Sequence, residues 1–174
     1  LKLYDEDQLS YAGVVNVNSL WGYTLNIEKD NWADKYTMAS GDALSGELVF
    51  QGSDNIPAPT AGLYLIDASL KALSYQLNSV GTQIYVSGLN NIWDFNTVLA
   101  ATATIGEYSG VVTINEASSY GFQIHLDSSW NHYFGGANGS LFYKGTNISD
   151  DAALAAGTYT LTVDLLKGTY LLVQ

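Results

Sequence analysis

The chain states one pattern twice, and that repetition limits the folds open to it more than any single motif does. Tyr11, Gly13, Val14 and Val15 recur as Tyr108, Gly110, Val111 and Val112. Gly22, Tyr23, Leu25, Ile27 and Glu28 answer to Gly121, Phe122, Ile124, Leu126 and Asp127, and Trp32 and Tyr36 then answer to Trp130 and Tyr133. Further on, Gly46, Leu48, Phe50 and Gly52 match Gly139, Leu141, Tyr143 and Gly145, while Gly62, Tyr64 and Tyr75 match Gly157, Tyr159 and Tyr170. A period of roughly 95 residues is too long for a solenoid repeat and suits two copies of one small domain. The expected modules are residues 1–79 and 80–174, with the boundary around Asn78 to Thr82.

Within each copy the apolar residues alternate rather than rotate. Thr158 to Val163 reads Thr, Tyr, Thr, Leu, Thr, Val, and Tyr108 to Ile114, Phe122 to Leu126 and Leu141 to Tyr143 carry the same β-branched and aromatic bias. Gly and Asn clusters at Gly88 to Asn91, Gly135 to Gly139, Gly145 to Asn147 and Gly168 read as the turns between them. Only Ser149 to Ala156 has a helix-compatible composition, and it is too short for more than a turn. The fold expected is all-β: two tandem immunoglobulin-like antiparallel β-sandwich modules. The first is short of its opening strand. Module two begins with Ile84-Tyr85-Val86 and a Trp loop well before Tyr108, whereas module one has only ten residues ahead of Tyr11. Either that strand lies upstream, or the module uses fewer strands and leaves an edge to be protected by a partner or by charges such as Asp5, Glu6 and Asp7.

Charge narrows the partners. A net charge of -11, with six Lys plus Arg among 174 residues, argues against nucleic acid and against an anionic membrane surface, both of which call for a clustered basic face. A neutral ligand fits better. No stretch approaches the roughly 20 apolar residues of a membrane helix, so attachment to a membrane would come only through an anchor upstream of Leu1. The absence of cysteine removes disulfides and thiolate chemistry.

The residues that point to function are aromatics in turn-rich segments. Trp130 sits in Asp127-Ser128-Ser129-Trp130-Asn131-His132-Tyr133-Phe134-Gly135-Gly136, and Trp93 in Asn90 to Asn96. An indole on a loop offers a flat apolar face on which the C–H face of a sugar ring can stack, with polar side chains catching the hydroxyls. Asn131, His132, Asn138 and Lys144 are suited to that rim. The bland alternative is that each Trp plugs one end of a sandwich. A hydrolase would use a pair of carboxylates, and Asp94, Glu116 and Asp127 can be nominated, but with 17 acidic residues such pairs carry little information. His125 lies in an alternating strand and reads as structural. No P-loop, nucleophile elbow or metal-binding His pair is present, so no catalytic residue, metal or cofactor is expected. Asp5, Glu6 and Asp7, or Ser149, Asp150 and Asp151, offer oxygen ligands for calcium but read more simply as solvated turns.

In module two, Asn-Asn-Ile-Trp-Asp-Phe, Tyr-Ser-Gly-Val-Val, Trp-Asn-His-Tyr-Phe-Gly-Gly, Leu-Phe-Tyr-Lys-Gly-Thr-Asn-Ile and Ala-Gly-Thr-Tyr-Thr-Leu-Thr-Val-Asp-Leu follow one another. In that order they resemble the C-terminal modules of the SusE/SusF-type outer-membrane lipoproteins of Bacteroidetes. The resemblance covers nearly all of module two and, more loosely, module one. It implies a noncatalytic polysaccharide-binding protein at the cell surface, held in the outer membrane by an upstream lipidated cysteine and working with a glycan transporter complex. It also implies sugar contacts from Trp93, Trp130 and Lys144, with Tyr133 and Asn131 as weaker candidates. In module one Gln51 stands where module two has Lys144, and the counterpart of Trp93 would precede Leu1. Trp32 and Tyr36 would form any platform there, although a spacer module is an equal reading. Two binding modules would add avidity for a long polymer. A structural or adhesive surface protein without a sugar site is the alternative from another class.

Overall fold

The computed structural model describes residues 1–18, 21–116, 120–149 and 156–174. Its chain divides into two compact units, Leu1–Ser79 and Val80–Gln174. Both are all-β, and the sole helical element among the described residues is a 3-10 turn at Leu89–Asn91.

The first unit holds β1 (Lys2–Asp5), β2 (Ser10–Val17), β3 (Leu25–Asn26), β4 (Lys35–Gly41), β5 (Ser45–Phe50), β6 (Gly62–Ser69) and β7 (Ser74–Ser79). They form one antiparallel ladder in the order β1-β2-β6-β7-β5-β4-β3. The second holds β8 (Gln83–Ser87), β9 (Thr97–Ala101), β10 (Glu107–Ile114), β11 (Gln123–His125), β12 (Tyr133–Ala137), β13 (Ser140–Tyr143), β14 (Gly157–Asp164) and β15 (Thr169–Val173). Their ladder runs β10-β14-β15-β13-β12-β11-β8-β9 and closes on itself.

Period-two alternation accounts for the longest strands. In β14, Tyr159, Leu161 and Val163 are buried while Thr158 and Thr160 face outward. β10 packs beside it over its whole length, from Glu107↔Asp164 to Ile114↔Gly157. The turn between β12 and β13 is Asn138-Gly139, both at positive φ (51° and 77°), the backbone that a two-residue hairpin demands. Each unit has its own apolar interior. Leu48, Ile56, Ile66 and Leu77 lie in the first, and Ile84, Leu99, Ile124 and Leu161, all with no exposed surface, in the second.

The units repeat one ladder. β2-β6-β7-β5-β4-β3 corresponds, strand for strand, to β10-β14-β15-β13-β12-β11. β1 pairs β2 as β9 pairs β10: Leu3 opposes Tyr11 where Ala101 opposes Tyr108. The short strand Lys2–Asp5 is therefore the counterpart of β9, an element the sequence reading did not assign. No described strand of the first unit corresponds to β8.

Two other expectations change, and a third lies outside the described residues. Gly135 and Gly136 are not turn residues but lie inside β12, because a Cβ on either would run into the Thr146 or the Ser140 carbonyl; glycine here admits close backbone approach. The strand expected over Phe122 to Leu126 shortens to Gln123–His125, and Phe122 instead makes an isolated bridge with Ile148 through N–H···O contacts of 3.1 and 2.8 Å. The turn read at Ser149 to Ala156 and the acidic pair Asp150 and Asp151 fall largely on 150–155, outside the described residues.

Candidate functional site: an aromatic platform in the second unit

The site rests on one register pair. β8 and β11 are antiparallel, with Ile124 opposite Val86 and His125 opposite Tyr85. The His125 ring is fully buried, and the loop that follows β8 folds back over it. Phe95 lies edge-on to Tyr85 (centroids 6.2 Å apart, 80° between planes) and to His125 (5.2 Å, 78°). Trp130 then packs on both, 4.9 Å from Phe95 and 5.0 Å from His125 at 89°. Trp93 completes the surface at 6.4 Å from Trp130, the two indoles inclined by 39°. Trp130 is 49% exposed and Trp93 36%, and Ile92 beside it is 56% exposed. About half of Trp130 and about a third of Trp93 are thus open while neighbouring rings pack on the rest, an arrangement that holds an apolar face in place and leaves it available.

Local sequence dictates the loop. Gly88 turns the chain at φ 102°, and a Cβ there would lie 2.6 Å from the Gly121 carbonyl oxygen and 3.0 Å from the Trp93 ring edge. Asn90 and Asn91 follow in left-handed backbone (φ 55° and 59°), which asparagine tolerates better than most residues. The Asn90 side chain ties the loop down: Nδ2 donates to the Thr113 carbonyl at 2.9 Å, and Oδ1 accepts from the Asn115 N–H at 2.7 Å. Asn91 Nδ2 donates to Glu116 at 3.0 Å. The loop carrying Trp130 is fixed from within. Ser129 Oγ donates to Asp127, the other Asp127 oxygen lies 3.0 Å from His132 Nδ1, and the Ser129 carbonyl is 3.0 Å from His125 Nδ1.

Protonation follows from these contacts. His125 Nδ1 faces a carbonyl, so it carries the proton and donates. Nε2 is buried with no hydrogen-bond partner among the described residues. Burial holds this imidazole below its ordinary pKa, outweighing the Ser129 carbonyl and Asp127, which act the other way. The ring is neutral and serves as an aromatic wall. Burial would raise the Asp127 carboxyl, but hydrogen bonds from His132 and Ser129 outweigh it and hold the group below the usual range.

The residues singled out from the sequence divide into three sets. Trp93 and Trp130 come together, and Tyr133 reaches the cluster through His125 (5.8 Å). Asn131 is exposed beside Trp130. Lys144 lies on the far side of Tyr133: its N–H donates to the Tyr133 carbonyl at 2.9 Å, and its ammonium sits 5.2 Å from the centre of the Tyr143 ring. In the first unit Trp32 is 69% exposed, while Tyr36 proves to be the counterpart of Phe134 and not of Tyr133: it opposes Leu25 as Phe134 opposes Ile124, and it packs on Phe50 at 5.3 Å. Gln51 repeats the Lys144 backbone, with φ 55° against 51° and an N–H donated to the Lys35 carbonyl at 2.8 Å. Asn26 occupies the place of His125, and its Nδ2 donates to the Asn31 carbonyl at 3.2 Å. Phe95 and His125 are the members that sequence reasoning left out. The Trp-Asp-Phe spacing, which puts Trp93 and Phe95 two residues apart, was the available signal.

Among the described residues no group of three or more His, Cys, Asp or Glu is placed to hold a metal ion, and no helix is long and apolar enough to cross a membrane. A family model described as a domain of unknown function (DUF8037) matches residues 1–79, the same stretch as the first compact unit. No curated protein and no solved structure matches the chain.

Proposed function

We propose that this chain binds polysaccharide noncatalytically at a bacterial cell surface, as part of a glycan-uptake system. Trp93 and Trp130 are the platform and Asn131 and Tyr133 the polar rim, while Lys144, beyond Tyr133 and over the Tyr143 ring, is included on the resemblance alone. The observation that carries the reading is the pair of inclined, half-open indoles backed by Phe95 and a neutral His125. An exposed aromatic face of this kind is costly to leave in water and suits the apolar face of a sugar ring. A noncatalytic role is favoured by what the nearby carboxylates do: Asp127 is engaged by Ser129 and His132, and Asp94 by Asn96. The lipid anchor, the outer-membrane location and the partnership with a glycan transporter rest on the resemblance to SusE/SusF-type proteins and belong to the same proposal.

We further read each unit as an immunoglobulin-like sandwich. Closure of the second ladder rests on one register pair between β13 and β15 and two between β9 and β10. Seams that thin let the barrel flatten into β9-β8-β11-β12-β13 over β10-β14-β15. An experimental structure with continuous pairing across both seams would overturn this.

Affinity electrophoresis of the intact chain through gels containing neutral polysaccharides tests the function. Retardation by at least one, lost on Trp130→Ala, is expected. Retardation by none leaves the structural or adhesive reading.

A further inference from the structure

One more aromatic of the second unit stands open beside the platform. Tyr120 is 70% exposed, more than either Trp93 or Trp130. Its backbone is held from two directions. Asn147 Nδ2 donates to the Tyr120 carbonyl at 2.7 Å, and Asn147 Oδ1 in turn accepts from Gln123 at 2.7 Å. Gly121, next in the chain, turns at φ 73°, where a Cβ would run into the Ile148 carbonyl, and Phe122 then makes the bridge with Ile148. None of these contacts uses the phenol ring, so the turn does not depend on an aromatic at this place.

The first unit builds the same turn. Gly22 lies at φ 78° against the Ile56 carbonyl, Tyr23 bridges Ile56, and Asn55 Nδ2 is 3.5 Å from the carbonyl of the residue before Gly22. That residue is Trp21, 88% exposed. Both copies set a large ring outward on a braced turn that does not need it, and such a ring is costly to leave in water. β8 and the loop after it are present in the second unit, and Tyr120 is open all the same.

Position indicates what covers it. β8 and β11 are antiparallel, so the residues leading into β11 lie at the end of β8. The Gly121 carbonyl oxygen and the Trp93 ring edge border one point, 2.6 and 3.0 Å from where a Cβ on Gly88 would be. Trp93 thus has the Tyr120 turn beside it at the start of β11, and Trp130, 6.4 Å away, over His125 at the end of that strand.

We propose that Tyr120 is a third stacking position at the Trp93 end of the platform, so that the site takes an internal run of a neutral glycan chain rather than a single terminal sugar. The inference rests on the polysaccharide-binding reading and adds the length of chain that the site engages. Once the indoles hold two rings, contact of a later ring with Tyr120 is intramolecular and strengthens binding without a second encounter.

Isothermal titration calorimetry tests this on the intact chain, with the disaccharide and the hexasaccharide of the amylose, cellulose, mannan and xylan series. In a series that binds, the hexasaccharide should bind at least about tenfold more tightly than the disaccharide. Tyr120→Ala should remove most of that gain, leave the disaccharide affinity within about twofold, and keep the thermal transition of the intact chain, because the ring is mostly open. Tyr120→Phe should retain the gain, and Trp130→Ala should weaken both ligands. Unchanged hexasaccharide affinity in Tyr120→Ala, or equal weakening of the two ligands by it, would overturn the third position and leave the platform standing. Binding of no saccharide by the intact chain would overturn the platform and this inference together.

Discussion

Replacing Trp130 by alanine separates what the indole does for the fold from what it does for a ligand, because its surface is divided nearly equally between the two. A Trp side chain carries roughly 150–250 Å². With 49% of Trp130 exposed, about half is covered by its neighbours, Phe95 and His125 among them. At ~25 cal/mol per Å² the covered half contributes about 2–3 kcal/mol to the second unit, an upper figure because the unfolded chain hides some of it. The open half is available to a ligand and is worth a similar amount. Trp130→Ala should therefore keep a cooperative transition, lowered by about 10 °C, and lose binding by a factor of about 30 or more. Thermal unfolding by near-UV circular dichroism checks the first, and electrophoretic retardation in the best polysaccharide checks the second. Unchanged retardation would refute the platform. A variant with no cooperative transition would refute the division of surface, since it would make the indole a core residue.

Protonation of His125 should destabilise the second unit. Its folded pKa is depressed by burial, so stability is complete above the unfolded value of about 6.5 and falls as the pH drops from there through the lower folded value. Chemical denaturation between pH 8 and 4 should show this slope, and His125→Phe should flatten it. Gly88→Ala places a methyl group against the Gly121 carbonyl and the Trp93 ring at positive φ. It should cost about 1–3 kcal/mol and weaken sugar retardation while the transition stays cooperative. Leu99→Ala and Leu1→Ala form a matched pair at equivalent positions: the buried leucine should cost about 3–5 kcal/mol and the half-exposed one under about 1 kcal/mol in urea denaturation. Equal costs would show that the two environments do not differ as described.

Many of the strands and turns were legible because turn chemistry and alternation are local, whereas the order in which the strands pair is set by contacts between distant segments. Asn138-Gly139 marks a hairpin by itself, and the alternation of β14 survives in any context. β1 was missed because Lys2-Leu3-Tyr4-Asp5 ends in a run of acids; its strand character comes from pairing with β2 rather than from its own composition. Gly135 and Gly136 were misread for the converse reason. Glycine signals a turn in sequence, but here it is required by the Thr146 and Ser140 carbonyls, which approach from segments that no local window contains. The candidate residues Trp93 and Trp130 could be named from their loops, but their meeting could not be read, since it depends on the register that sets Tyr85 opposite His125.

That register ties the openness of the first unit to the poverty of its aromatic face. β8 performs two tasks in the second unit: Ile84 and Val86 close the interior, and Tyr85, on the alternate face, forms with His125 the base on which Phe95 and Trp130 lie. Among the described residues of the first unit no strand performs either task. Among those residues Asn26 has no cross-strand partner equivalent to Tyr85, and Trp32 stands 69% exposed against 49% for Trp130. In the second unit, closure and platform are consequences of one strand: its inward side chains seal the interior and its outward Tyr85 sets the base for the aromatic cluster.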